Sequence, residues 1–540
     1  MEIIKPFIQK IQNLLNEVKD HKYNKYRGRA NKEISKLFRS KFKNVDTDKY
    51  IIFEALWDNP HHWLRLSIFG PVISNHLKSR IIGLYEKSTS KKAINSLKAF
   101  NFTDYIEIKA QVSNENLLQA KAILDDFGTS KDFSNLKLPY NFPWQFLYDS
   151  ILKSEMIGSL DSSYKKNYIY IAKLISYLEE YEKKINWKKI SGLVISHPVN
   201  FRFSTLTFLA LSKGIPVYVL NYVNEYISIR KLDSIDDWTG GSYEKPDFNV
   251  VSKLPKYKKE FLASVGRDYL NQVRSAKKGE VSTVGTFRTE KDKNFNKNHF
   301  LNNLYLDIKK PTVVVMTGCW PDFPNLYPPS WYTDYVDWTK KTLDIIKDDN
   351  NCNWIIKPHP AEFKYGSKTK IEDFLGNIKN SNIVIWPKEV LSNHLIEIAD
   401  LVLTSHGSAG VEYPALGKPA IISRETHFSK WGFVNCCLTF DKYSYMLRNI
   451  KSIIKPDLES QKYAYIYIAT SICNASNISK DYLFEMGSKS KKLWPSIEKF
   501  ISINSKNIDL EQNMMKKWLN SNIQSYNFFK SINYDTWEVD

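Results

Sequence analysis

Cysteine is scarce in this 540-residue chain. The five present (Cys319, Cys352, Cys436, Cys437 and Cys473) are odd in number and contain no CxxC pair. Neither a disulfide framework nor a zinc site is implied, and a reducing compartment fits best. Long hydrophobic runs are also missing: nowhere do 18 apolar residues follow one another, and the opening MEIIKPFIQKIQNLLNEVKD mixes charges into its apolar positions. Neither a membrane span nor a signal-peptide core is expected, so a cytoplasmic location is. No internal repeat or low-complexity segment is visible beyond a lysine and asparagine bias, and no metal-ligand cluster stands out. Acidic residues are in deficit, 58 against 77 Lys+Arg, for a net charge of +19. That balance suits an anionic partner such as a nucleotide, acidic glycan, lipid headgroup or nucleic acid, and equally fits a lysine-rich background.

What is present is ample apolar material, 43% hydrophobic and 14% aromatic, enough for two α/β domains. Residues 1–49 form a basic segment with Ile4, Phe7, Ile8, Ile11, Leu14 and Leu15 at helical spacing. It reads as an amphipathic helix that either packs on the first domain or lies on an anionic bilayer. Over 50–250, β-rich runs alternate with helical stretches: YIIFEAL, RIIGLYE, YIEI, GLVIS and PVYVL. Such alternation predicts a parallel sheet covered on both faces. The charged stretch 251–305 reads as an interdomain connection, partly helical and partly mobile. A second series over 306–480 (TVVVM, NWIIK, NIVIW, LVLTS, PAIIS) predicts a second doubly wound domain. The tail 481–540 is expected to be helical and to return to the first domain, with Trp494, Phe500, Trp518 and Phe528 as anchors.

In open parallel sheets, ligands collect at the C-terminal ends of strands. Three segments of the second domain fall there. Lys357-Pro358-His359-Pro360 follows NWIIK, and its prolines stiffen a turn that aims an ammonium and an imidazole outward. Ser405-His406-Gly407-Ser408-Ala409-Gly410-Val411-Glu412 reads as a small-residue turn opening a helix. Its backbone N–H groups suit an anion, and Gly407 and Gly410 allow close approach. Glu412 suits ribose hydroxyls, or serves only as a favourable dipole partner. Asp322, in WPDFP after TVVVM, is a candidate nucleophile or base, or a turn-forming Asp. On the first domain, His197 and Arg202 follow GLVIS as His359 follows NWIIK. Asp149 lies in a helical neighbourhood, as a cleft carboxylate or a surface one. Glu54, Asp58, His61 and His62 near the end of the first strand are weaker candidates.

NWIIKPHP followed by ADLVLTSHGSAGVEYPALGKPAII resembles the C-terminal domain of capsule and surface-carbohydrate glycosyltransferases of the GT-B fold. The retaining β-Kdo transferases that use CMP-Kdo are the most similar. FLYDSILKS and VISHPVNFRFSTLTFLALSKGIPVY carry the likeness more loosely into the first domain. The resemblance implies two facing Rossmann-like domains, with a nucleotide held by His359, Pro360, Ser405, Gly407, Ser408, Gly410 and Glu412. Asp322 becomes the nucleophile of a double displacement, and Asp149 its partner on the acceptor side with His197 as substitute. Arg202 is left to the acceptor. The implied partners are a CMP-sugar donor and a glycan or glycolipid acceptor, with peripheral contact to the inner face of the membrane and no separate cofactor. Teichoic-acid polymerases using CDP-glycerol and CMP-sialic-acid transferases share a similar strand end and Ser-rich turn, so the cytidine is better marked than the sugar. A basic nucleic-acid-binding protein is the non-enzymatic rival, but no recognition motif accompanies the charge.

Overall fold

A computed structural model describes residues 25–43, 45–57, 60–86, 94, 97, 98, 104–128, 132–161, 166–223, 226–239, 248–275, 295–362, 366–376, 378, 380–472, 497, 500–502 and 505–521. The alternating runs become two six-stranded sheets. The first contains β1 (Tyr50–Glu54), β2 (Arg80–Glu86), β3 (Asp104–Ile108), β4 (Ile190–Ile195), β5 (Val217–Val223) and β6 (Tyr226–Leu232), in the order β3-β2-β1-β4-β5-β6. The second contains β7 (Thr312–Met316), β8 (Asn353–Lys357), β9 (Ile383–Ile385), β10 (Leu401–Thr404), β11 (Ala420–Ile422) and β12 (Asn435–Cys436), in the order β12-β11-β10-β7-β8-β9. Counted from its own first strand, each sheet has the same doubly wound order, and each reverses between its first and fourth strands. The chain therefore folds as the expected GT-B-like pair of Rossmann-like domains.

Each expected strand forms. Two further ones complete the sheets. β6 pairs antiparallel with β5 in a hairpin, and the two-residue β12 extends the far edge, too short to leave a periodic signal. The central strands are buried along nearly their whole length, so they read as continuous apolar runs. Side chains still alternate between faces. Ile52 enters the core cluster with Leu193 and Leu206, while Ile51 and Phe53 enter the opposite one with Val194 and Phe69.

The terminal elements cover that second face. A helix over 25–41 places Ala30, Ile34 and Phe38 on one stripe against Phe53 and Phe69. The Ser505–Leu519 helix returns to the same cluster through Ile508, Met515 and Trp518, and Gln512 donates to the Ile68 carbonyl at 2.7 Å. Phe500 is buried there too; Trp494 and Phe528 lie outside the described residues, as do Ile4, Phe7, Ile8, Ile11, Leu14 and Leu15. Among the described residues, no helix is long and apolar enough to cross a membrane.

Within 251–305, the Lys256–Arg274 helix is part of the second domain's core: Leu262, Tyr269, Leu270 and Val273 pack with Val411, Ile422 and Tyr467. Its charged outer face hid an apolar stripe. Gly266 lets this helix lie against the Leu458–Tyr467 helix, since a Cβ there would fall 2.0 Å from the Tyr465 carbonyl oxygen.

Candidate functional site

β7 and β10 flank the reversal point of the second sheet, and β8 adjoins β7. The segments leaving these three strands converge on a cavity of about 240 Å³. Asp322 comes from the first segment, Lys357, Pro358, His359 and Pro360 from the second, and Ser405, His406, Gly407, Ser408 and Glu412 from the third. These sequence-predicted residues thus meet around one space. Tyr335, Ser392 and Leu395 are among the other residues that line it and were not expected. Tyr335 had one signal, Gly318: a Cβ there would lie 2.5 Å from the Tyr335 ring, so the glycine after β7 makes room for it.

The cavity wall carries one ammonium and two imidazoles beside the Asp322 and Glu412 carboxyl groups. Lys357 is half-buried, and among the described residues its ammonium has no hydrogen-bond or ion-pair partner. Desolvation pulls its pKa down to about 8. His359 accepts the Ala361 N–H through Nδ1 at 3.1 Å, which leaves the ring proton on Nε2. Burial, reinforced by Lys357 and opposed by Asp322, lowers its pKa to about 4, so it is a neutral donor at pH 7. His406 is held deeper, between Ser405 Oγ on Nδ1 and the Tyr335 hydroxyl on Nε2, both at 3.2 Å. Burial, with Arg424 adding to it, keeps its imidazole neutral. Burial likewise pushes the Glu412 carboxyl up, against the Ser408 hydroxyl and Arg274. The Cys319 thiol, pushed up to about 12 by burial and by Asp322, is no nucleophile at neutral pH.

Two details of the Ser-rich turn differ from expectation. The helix it opens, Ala409–Ala415, runs only seven residues, and the N–H groups of Gly410, Val411 and Glu412 already donate to the carbonyls of Gly407 and Ser408 at 2.9 Å. The tightened first turn uses the donors expected to face a ligand. Gly410 does not line the cavity: a Cβ there would meet Ile422 Cγ2 at 2.8 Å and Phe428 at 3.1 Å, so it serves helix-on-sheet packing.

The first domain closes on this region through the Trp144–Glu155 helix. Lys153 Nζ reaches Asp322 Oδ1 at 2.7 Å, and Tyr148 donates its hydroxyl to Asp334 at 2.6 Å. Asp149 accepts from the Asn325 backbone N–H and side-chain amide, both at 2.9 Å. It is fully buried, and burial raises its pKa to about 7 despite Asn325 and Arg424. Both Asp149 oxygens are thus engaged in the seam between domains.

His197 and Arg202 do not line the cavity; they follow β4 of the first sheet. His197 follows β4, half-buried beside Trp57 and Phe203. Burial, aided by Arg65, lowers its pKa to about 4. Arg202 pairs with Glu86 at 2.9 Å. Glu54 lies beneath them, fully buried, with the Ser196 hydroxyl donating to it at 3.3 Å and His62 Nε2 3.4 Å away. Burial raises the Glu54 carboxyl to about 8, partly offset by Arg202. Asp58 and the His61 side chain lie outside the described residues. Among the described residues, no three His, Cys, Asp or Glu side chains are grouped to hold a metal ion.

No protein-family model and no curated protein matches the chain. Solved structures do. A β-Kdo 2,4 transferase, KpsC of Thermosulfurimonas dismutans, matches at 12% identity over 54% of this chain and 84% of its own, with a TM-score of 0.32. The wall teichoic acid polymerase TagF matches at 10% identity over 94% and 98%, with a TM-score of 0.23. A UDP-GlcNAc 2-epimerase from Neisseria meningitidis matches at 12% identity over 85% and 99%, with a TM-score of 0.21. At these scores the functional reading rests on the residues of the site.

Proposed function

We propose that this chain is a retaining glycosyltransferase that moves an ulosonic acid, Kdo, from its CMP-activated form to a glycan acceptor of a bacterial capsule or lipopolysaccharide. The observation that carries the reading is Lys357, a half-buried cation without a counter-charge among the described residues, at the C-terminal end of β8, one strand from the reversal point of a doubly wound sheet. Burying an unpaired ammonium is unfavourable, and a ligand phosphate offsets that cost. The same ammonium stabilises the charge that builds on the phosphate as it leaves.

The chemistry follows from what surrounds it. His359 offers its Nε2–H to a phosphate oxygen, Ser405 and Ser408 offer hydroxyls, and Glu412 accepts from the ribose. Asp322, held by Lys153, attacks the anomeric carbon; the bond to the phosphate breaks and CMP departs with the electron pair. The acceptor hydroxyl then attacks the same carbon, gives its proton to a base for which His197 is the first-domain candidate, and releases Asp322. Two inversions leave the anomeric configuration retained. Contact with the anionic inner face of the membrane belongs to this proposal through the basic 1–49 segment.

Calorimetric titration with CMP, CDP, UDP, GDP and ADP tests the donor. CMP is expected to bind the wild-type protein and to lose about tenfold or more in affinity in Lys357→Ala. Equal affinity in that variant, or preference for a non-cytidine nucleotide, contradicts the proposal. CDP-glycerol and CMP-sialic acid, offered as donors beside CMP-Kdo, separate the neighbouring chemistries by product mass.

A further inference from the structure

The first sheet reverses between β1 and β4, as the second does between β7 and β10. Two rings stand at that point. Trp57, three residues beyond the end of β1, is 45% exposed, although most large apolar side chains of this domain are buried. His197, two residues beyond β4, lies with its ring centroid 5.5 Å from that of Trp57, the planes inclined by 57°. Its Nδ1 is shielded from water and has no hydrogen-bond partner among the described residues. Nε2 likewise has no hydrogen-bond partner among the described residues and is not sealed in this way, so it is the ring nitrogen a ligand hydroxyl can reach.

The base of this pair is fixed from several sides. Ser196, just before His197, is fully buried and donates to the buried Glu54. The Pro198 carbonyl, just after it, accepts the Trp238 indole N–H at 2.9 Å. Trp238 stacks on Phe146 with ring centroids 3.7 Å apart, and Phe146 belongs to the helix whose Asp149 and Lys153 meet the second domain. The pair thus sits on a rigid crest tied to the domain seam. Phe203 lies behind His197, and the Arg202 guanidinium, 5.2 Å from the Phe203 ring, is paired with Glu86.

We propose that Trp57 and His197 form a carbohydrate subsite that takes one pyranose ring of the acceptor, Trp57 offering its ring face and His197 a hydrogen bond to a hydroxyl. A pyranose has an apolar C–H face and a polar rim. The electron-rich face of an indole matches the first, and a rigid imidazole beside it matches the second. The inference rests on the glycosyltransferase reading for the role of the bound sugar, while the binding itself is independent of the donor.

Saturation-transfer NMR on the full chain tests it, with the methyl glycosides of Kdo, galactose and N-acetylglucosamine as probes and CMP titrated into the same samples. At least one glycoside is expected to receive saturation from the wild-type protein. Its affinity is expected to fall about tenfold in Trp57→Ala and to recover in part in Trp57→Phe, with CMP affinity and melting temperature unchanged. His197→Phe keeps a ring and removes the hydrogen bond, and is expected to weaken the same glycoside. Absence of binding by every probe, or equal binding to wild type and Trp57→Ala, overturns the subsite. Sugar binding that depends on Trp57 in a protein that ignores CMP overturns the donor reading and leaves the subsite standing.

Discussion

Lys153 Nζ lies 2.7 Å from Asp322 Oδ1, and the two residues belong to different domains. The carboxylate that faces the cavity is therefore met by an ammonium carried on a helix of the other domain. Both side chains are partly exposed, so the pair matters for geometry more than for stability. Lys153→Met is expected to slow transfer by about tenfold or more while CMP affinity stays within about threefold, and Lys153→Arg to recover most of the loss. Steady-state kinetics beside CMP titration measure both. Unchanged kcat in Lys153→Met contradicts the assignment.

The Lys357 pKa of about 8 makes a signed prediction. Phosphate binding requires the ammonium, so affinity is fully present below pH 8 and is lost as pH rises through it, by about tenfold per unit above that value until the pKa of the bound form is reached. His359, already neutral with a pKa of about 4, adds no titration between pH 6 and 9. CMP titrations over pH 7–9, where the phosphate charge is constant, are expected to show this decline in the wild type and a weak, flat response in Lys357→Ala. A flat wild-type profile removes the cation from the binding step.

Two glycines of one turn are expected to separate cleanly. Gly410→Ala drives a methyl into Ile422 and Phe428 and is expected to destabilise the fold by about 1–3 kcal/mol, with little effect on CMP affinity of the folded protein. Gly407 lines the cavity, and its Cβ would meet only Thr404 Oγ1 at 3.2 Å. Gly407→Ala is expected to leave stability nearly intact and weaken CMP. Denaturant unfolding paired with calorimetry distinguishes them, and the reverse pattern contradicts the placement.

Asp149→Ala strands both donors of Asn325 in the buried seam. It is expected to cost about 1–3 kcal/mol in urea unfolding and to leave CMP affinity unchanged. Loss of transfer without loss of stability would restore the catalytic role that burial argues against.

Strand positions and the three converging segments were legible because buried parallel strands read as apolar runs, and because KPHP and SHGSAGVE lie directly at their ends. Burial and pairing were not legible. WPDFP gives no sign that Asp322 is met by Lys153, 169 residues away, and FLYDS gives none that Asp149 is turned into a seam. Gly410 looked like a ligand-approach glycine, since its neighbours Ile422 and Phe428 arrive only with the fold. Tyr335 and Ser392 reach the cavity through helix and loop packing that no local pattern encodes. Lys256–Arg274 was read as a connection because its mean composition is charged, while its buried stripe faces the Leu458–Tyr467 helix.

Intact-mass spectrometry of the protein with CMP-Kdo and no acceptor tests the central claim most directly. The account predicts release of CMP and a single Kdo mass added to the peptide containing Asp322, absent in Asp322→Asn although that variant still binds CMP. An unmodified wild-type protein that nonetheless completes transfer when acceptor is supplied, or an adduct that persists in Asp322→Asn, would contradict it.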